Sequence, residues 1–89
     1  MLELMQKLNV TSSPREIFGR NLRLLRRLKD ISQEQLALDA NLSRTYVSEV
    51  ERGARNVSID NMGLLADALG VQLKDLLDPE LLSGMQQKL

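Results

Sequence analysis

The chain has 89 residues, of which 43% are apolar and 27% are charged, and this length suits one domain with one hydrophobic core. It contains no cysteine and no histidine, which excludes a disulfide framework, a zinc–thiolate site and the commonest general base. We therefore expect a protein that is not an enzyme and that uses no metal or cofactor. The apolar runs are short, so we expect neither a membrane span nor a secretory signal and predict a cytoplasmic protein.

The net charge is zero, but the charges are unevenly distributed. Residues 15–29 contain six basic residues and one acidic residue, whereas residues 59–89 contain two basic and five acidic residues. Clustered basic side chains are the usual footprint of binding to nucleic-acid phosphates. The basic segment is therefore the part expected to approach phosphates, although a solvated helix face is an equal interpretation of the charge alone.

The chain begins with an arm or short helix over residues 1–13, in which apolar residues at helical spacing precede a polar stretch. A domain over residues 14–78 follows. Its first helix begins where Ser13 offers a cap hydroxyl and Pro14 takes the first helical position, and it runs to about Lys29. The apolar stripe of this helix consists of Phe18, Leu22, Leu25 and Leu28.

A second helix begins at Gln33 after the cap residue Ser32, and a third begins after Ser43 and ends at Gly53. The turn between them is about three residues long, which is the spacing of a helix-turn-helix over residues 33–52. The residues of these two helices that are expected to face the core are Leu36, Ala37, Ala40, Val47 and Val50.

A fourth helix begins after the cap residue Ser58 and ends at Gly70, and a short fifth helix precedes Asp78 and Pro79. Residues 79–89 form a C-terminal tail with enough apolar residues for a further helical turn close to a dimer interface. The sequence thus predicts an all-α, compact five-helix domain. The apolar face of the fourth helix consists of Ile59, Met62, Leu65, Ala66 and Leu69.

These segments resemble the Cro and phage-repressor type of helix-turn-helix regulators, the Xre-like family, over about residues 16–77. The matching segments are Gln33, Leu36-Ala37, Leu42-Ser43, the run from Val47 to Gly53 and the run from Leu65 to Val71. Within this family, residues 42–52 followed by Arg55 and Asn56 are most similar to the controller proteins of restriction-modification systems. Asn41 departs from the glycine usual at the turn, but asparagine tolerates the left-handed conformation that the turn needs.

The resemblance implies a phage-repressor-like domain whose third helix enters the major groove of double-stranded DNA. The residues predicted to read bases are Arg44, Thr45, Ser48 and Glu49. Arg44 is expected to bind a guanine through its two-pronged donor face or, alternatively, a phosphate. Thr45 is expected to touch a thymine methyl group or to face solvent. Glu49 has three interpretations, which are a contact with a cytosine amine, the orientation of an arginine, and solvation.

A larger set is predicted to contact DNA phosphates and to set the register of the protein on the duplex. Its members are Gln33, Ser43, Tyr46, Arg52, Arg55, Asn56 and Arg27. Tyr46 alternatively packs its ring against the second helix. Arg26 and Arg27 share two interpretations, which are a contact with the flanking DNA backbone and a solvated cationic helix end.

The C-terminal part of the chain holds more leucines than a five-helix core of this size needs, so some are expected to form a two-fold dimer interface. The predicted interface residues are Leu73, Leu76, Leu77 and Leu81. The resemblance implies a homodimer on a near-palindromic operator, and it leaves open a tetramer on DNA and a contact with RNA polymerase. The alternative is an antitoxin-like module that binds a partner protein through residues 1–10 or 80–89 and autoregulates through its helix-turn-helix.

Overall fold

The computed structural model describes residues 12–87 and, up to Met85, the surroundings of their side chains. The helices are α1 (Pro14–Leu28), α2 (Gln33–Ala40), α3 (Arg44–Glu51), α4 (Ile59–Leu69), α5 (Leu73–Leu76) and α6 (Leu81–Gln87). Residues 12–87 contain no strand, so the prediction of an all-α fold is confirmed. None of these helices is long and apolar enough to cross a membrane.

The five helices expected within residues 14–78 are α1 to α5, and the described part of the C-terminal tail adds a sixth helix, α6. The turn before α6 is stabilised by the side chain of Asp78, whose Oδ1 accepts a hydrogen bond from the backbone N–H of Glu80 at 2.9 Å. The helix then packs against α1. The arm predicted for residues 1–13 lies, except for its last two residues, outside the described residues.

Serine hydroxyl groups cap the first four helices, as the sequence predicts. Each accepts a hydrogen bond from the backbone N–H three residues later, and the cap residues are Ser13, Ser32, Ser43 and Ser58. At the start of α1 the carboxylate of Glu16 also accepts a hydrogen bond from the backbone N–H of Ser13 at 3.1 Å. This bond lowers the pKa of Glu16 below its ordinary value. Local chemistry therefore defines where these helices begin.

The hydrophobic core lies between α1 and the helices that pack around it. The buried apolar residues are Phe18, Leu22, Leu36, Ala37, Ala40, Val47, Val50, Val57, Leu65, Ala66, Leu69 and Leu76. Two predicted core residues, Leu28 and Ile59, are instead largely exposed. Leu28 is the last residue of α1 and Ile59 is the first residue of α4, so neither lies in the packed middle of its helix.

A polar side chain of α1 holds the C-terminal part of the chain. Asn21 is buried, and its Nδ2 donates to the backbone carbonyl of Asp78 at 2.7 Å and to that of Leu76 at 3.1 Å. Arg20 adds a hydrogen bond from Nη2 to the carbonyl of Pro79 at 3.3 Å. The carbonyl of Leu76 ends α5, where the helix offers it no further N–H, and the carbonyl of Asp78 also accepts a hydrogen bond from the backbone N–H of Leu81 at 3.3 Å. Asn21 therefore positions the segment that leads into α6.

Gly19 marks the closest approach of α1 to the end of α3. A Cβ atom at Gly19 would lie 2.2 Å from the carbonyl oxygen of Val50 and 2.9 Å from that of Glu51. We expect Gly19→Ala to lower the free energy of unfolding by about 1–3 kcal/mol, since two backbone segments must separate. Gly63→Ala is the matched control, because nothing lies within 4 Å of the added atom and alanine favours a helix by about 0.5–1 kcal/mol. Urea unfolding measures the free energy of unfolding of both variants, and an equal change in Gly19→Ala and Gly63→Ala would contradict the prediction.

Candidate nucleic-acid interface

The helix pair α2 and α3 has the geometry of a helix-turn-helix. Asn41 takes the left-handed conformation with φ +59°, as the sequence analysis expects of it. The backbone N–H of Leu42 then donates to the carbonyl of Ala37 at 2.8 Å and closes the turn. Val47 and Val50 are buried, which fixes the inner side of α3. The opposite side of α3 therefore faces outward at a defined angle to α2.

A surface depression follows this outward side, and we call it the α3 groove. It is lined by Gln33, Arg44, Thr45, Ser48, Glu49 and Arg52. The structure thus brings together all four residues predicted to read bases and two of those predicted to bind phosphates. Arg44 and Thr45 are exposed, whereas Ser48 and Glu49 are half-buried. Arg44 and Thr45 are the more accessible pair for a molecule that approaches from solvent.

A second depression continues the α3 groove toward the end of α1. Its lining residues are Arg26, Arg27, Ser32, Gln33, Glu34 and Arg44. Gln33 and Arg44 belong to both depressions, so the two form one continuous polar surface. This surface includes Arg27, whose exposed side chain suits a phosphate contact. Asn56 lies apart, in a separate depression beside Phe18 and Met62.

At the edge of the α3 groove lies a buried ion pair that the sequence alone does not predict. Arg26 donates from Nε to Oε2 of Glu51 at 2.6 Å and from Nη2 to Oε1 at 3.0 Å. Gln33 donates from Nε2 to the same Oε1 at 3.0 Å, and Arg26 also donates from Nη1 to the carbonyl of Ile31 at 2.8 Å. The side chain of Arg26 is only 10% exposed. The expectation that Arg26 reaches flanking DNA or solvent is therefore wrong, because its guanidinium is used inside the domain.

A second polar network joins α3, the following loop and α4. Asn61 donates from Nδ2 to the hydroxyl oxygen of Tyr46 at 3.1 Å. The guanidinium carbon of Arg55 lies 5.2 Å from the centre of the Tyr46 ring, and Arg55 Nε is 3.6 Å from Oε1 of Glu49. Tyr46 is half-buried. Its ring and its hydroxyl thus both have partners, and of the three interpretations of Glu49 this geometry favours the orientation of an arginine.

The predicted dimer interface needs one correction. Leu76 is 0% exposed and belongs to the core of its own chain, so its side chain is not available to a partner. The neighbouring Leu77 is 39% exposed, and Leu82 on α6 is exposed as well. Leu73 packs partly against the core, and Leu81 is half-buried. The accessible apolar surface in this region is therefore centred on Leu77, directly after α5, and on Leu82 of α6.

Comparison with known proteins places this geometry in a family. Residues 22–76 match the helix-turn-helix family HTH_3. The control protein C.BamHI of Bacillus amyloliquefaciens is 48% identical over 80 residues, which cover 89% of this chain and 99% of that protein. The chain belongs to the HTH_3 family and is a DNA-binding regulator of transcription of the Xre type.

Within that family, the chain is related to the control proteins of restriction-modification systems. The crystal structure of the controller protein C.AhdI from Aeromonas hydrophila has a TM-score of 0.68 and 48% identity, covering 70% of this chain and 90% of that one. The C.Esp1396I tetramer in complex with its natural 35-base-pair operator has a TM-score of 0.71 and 32% identity, covering 80% of this chain and 97% of that one. The resemblance stated from the sequence is confirmed.

Proposed function

We propose that the protein binds a near-palindromic operator as a homodimer and controls the genes of a restriction-modification system. The observation that carries this proposal is the α3 groove, which gathers the four side chains predicted to read bases on the outward face of α3, beside Gln33 of α2 and Arg52. The major groove of B-DNA admits such a helix and displays a distinct pattern of donors and acceptors for each base pair. The related C.Esp1396I forms a tetramer in complex with its operator, which supports both DNA binding and self-association in this proposal.

In this proposal the exposed end of α3 reads the sequence. Arg44 presents parallel N–H groups that match the O6 and N7 acceptors of a guanine. Thr45, one residue further, offers a methyl group to a thymine or a hydroxyl to a neighbouring base. Ser48 lies one turn along the same groove and contributes a smaller contact. Glu49 supports base reading indirectly, since its carboxylate oxygen lies 3.6 Å from Nε of Arg55 and orients that arginine.

The flanking residues hold the DNA backbone and set the register. Gln33 stands at the N-terminal end of α2, where free backbone N–H groups and the helix dipole favour a phosphate. One side-chain N–H of Gln33 is bound to Glu51, and the other, which has no hydrogen-bond partner among the described residues, is assigned to DNA. Arg27 and Arg52 lie on either side of Gln33 on the continuous polar surface. The remaining members of the backbone set are Ser43, Tyr46, Arg55 and Asn56.

The homodimer forms, in this proposal, through the leucines that α5 and α6 leave accessible. Leu77, directly after α5, and Leu82 on α6 are exposed, and Leu73 on α5 and Leu81 on α6 are half-buried. A two-fold axis brings the same patch of both chains together, so each leucine is buried against the matching patch of the other chain. It also presents two copies of α3 to half-sites about 34 Å apart on one face of the duplex.

Selection of bound duplexes from a random pool, followed by sequencing, tests the proposal with the full chain. We expect a two-fold-related motif with half-sites about one helical turn apart. Failure to enrich any motif, together with weak and strongly salt-dependent binding, would contradict the operator-binding proposal. That outcome would favour the antitoxin-like alternative, in which a protein partner is the main ligand.

Replacing Arg44 or Arg27 with alanine separates base reading from backbone contact. We expect Arg44→Ala to reduce discrimination between the selected operator and a scrambled duplex by about 1–3 kcal/mol. Arg27→Ala should weaken binding to both duplexes alike and lower the slope of log affinity against log salt by about one unit. Fluorescence anisotropy at two salt concentrations measures both quantities. Indistinguishable behaviour of the two variants on matched and scrambled DNA would refute this division of roles.

A further inference from the structure

Tyr46 stands between the recognition helix α3 and the start of α4. Its hydroxyl oxygen accepts a hydrogen bond from Asn61 Nδ2 at 3.1 Å, and this is its one hydrogen-bond partner among the residues whose side chains are described. Asn61 is itself held in place, because its backbone N–H donates to the hydroxyl of the cap residue Ser58 at 3.1 Å. The donor on Asn61 therefore belongs to a fixed helix start.

From this geometry we infer that Asn61 is a positioning residue for DNA recognition, which makes Tyr46 a hydrogen-bond donor to the operator. The inference rests on the proposed function. A phenol carries one proton and can both donate and accept. Because Asn61 donates to the oxygen, the proton of Tyr46 points to a different acceptor. On an operator that acceptor is a phosphate oxygen or the acceptor edge of a base.

The ring of Tyr46 is held independently of its hydroxyl. The guanidinium carbon of Arg55 lies over the ring, 5.2 Å from its centre. Arg55 is held in turn by Glu49, whose Oε1 is 3.6 Å from Arg55 Nε. These contacts restrict where the phenol lies, so the direction of the O–H bond is the main freedom left. The hydrogen bond from Asn61 fixes that direction, so the O–H group is already oriented toward the DNA before binding. No sequence pattern singles out Asn61, because this residue is not on the recognition helix.

Three variants of the full chain test the inference on the operator obtained by selection. Tyr46→Phe removes the hydroxyl, and Asn61→Leu removes the donor that orients it. Asn61→Asp nearly preserves shape but places a carboxylate beside the phenol, and a carboxylate can only accept its proton. The aspartate also suits the first turn of α4, where a negative charge is favourable. Thermal unfolding should therefore occur at no lower temperature in Asn61→Asp than in the native protein.

We expect Tyr46→Phe and Asn61→Leu each to weaken operator binding about threefold to tenfold. The double variant should bind about as well as Tyr46→Phe alone, since both changes disable the same donor. Asn61→Asp should weaken binding by a larger factor when Tyr46 is present than in the Tyr46→Phe background. The loss that persists in that background measures the repulsion between the new charge and phosphates.

The hydrogen bond itself has a readout without DNA. The side-chain amide resonances of Asn61, identified by their loss in Asn61→Leu, should shift in the spectrum of Tyr46→Phe. Unchanged amide resonances would overturn the inference. So would independent effects, in which the losses of Tyr46→Phe and Asn61→Leu multiply, or an Asn61→Asp loss that is equal in both backgrounds. If the native chain enriches no operator, the proposed function fails and the inference fails with it. Enrichment combined with independent effects contradicts the inference alone.

Discussion

Replacing Arg26 with alanine is expected to lower the free energy of unfolding by about 3–5 kcal/mol. The side chain of Glu51 is 0% exposed, and Arg26 binds both of its carboxylate oxygens. Without Arg26, the partners left to this buried carboxylate among the described residues are Gln33, through its hydrogen bond, and the more distant Arg23, whose Nε is 3.9 Å away. An uncompensated buried charge is costly because the interior does not solvate it. Urea unfolding followed by circular dichroism measures the loss.

The matched control for this variant is Arg27→Ala. Arg27 follows Arg26 in the same helix and carries the same charge, but its side chain is exposed. We expect the control to change the free energy of unfolding by less than about 0.5 kcal/mol. A similar loss in both variants would show that helix charge, and not the ion pair with Glu51, determines stability. Together with the operator measurements, the two variants should affect different quantities. Arg26→Ala should lower the free energy of unfolding, and Arg27→Ala should lower the affinity for DNA.

The ion pair also connects stability to the DNA-binding surface. Glu51 ends α3, Arg26 lies late in α1, and Gln33 begins α2, so one carboxylate joins three helices at the edge of the α3 groove. Gly19 adds a second constraint at the same junction, because α1 approaches the end of α3 there without an intervening side chain. The angle at which α3 leaves the domain therefore depends on buried contacts that touch no DNA.

Two adjacent leucines are expected to give opposite results when each is replaced with aspartate. Leu76→Asp should destabilise the protein by about 4 kcal/mol or more, since it empties a filled core position and buries an unpaired charge. Leu77→Asp should leave each chain folded but raise the dissociation constant of the proposed dimer by about tenfold. Circular dichroism with urea measures folding, and sedimentation velocity over a range of concentrations measures association.

The operator provides a further readout for this pair. A Leu77→Asp chain that is folded but monomeric should bind one half-site with the affinity of a native half-site complex and lose the advantage of the two-fold site. A folded Leu77→Asp protein that still sediments as a dimer would remove this residue from the interface. Leu82→Asp then serves as the companion variant, because it lies on the neighbouring α6 and is also exposed.

The sequence by itself determined the local features of this protein. Serine hydroxyl groups mark the starts of four helices, and Asn41 supplies the left-handed residue of the turn. These signals act within about four residues of the chain, so they can be read before any packing is known. The same short-range periodicity placed Arg44 and Thr45 outward on α3, because Val47 and Val50 must face the core.

Only the tertiary structure decided which of two similar neighbours turns inward. Arg26 and Arg27 look alike in the sequence, as do Leu76 and Leu77, yet one of each pair is buried and the other is exposed. The partner of Arg26 is Glu51, which is 25 positions away, and Asn61 meets Tyr46 across 15 positions. Such contacts depend on how whole helices rotate and pack against one another. Helical spacing alone leaves that rotation uncertain by about one residue, which is enough to exchange a core position for a surface one.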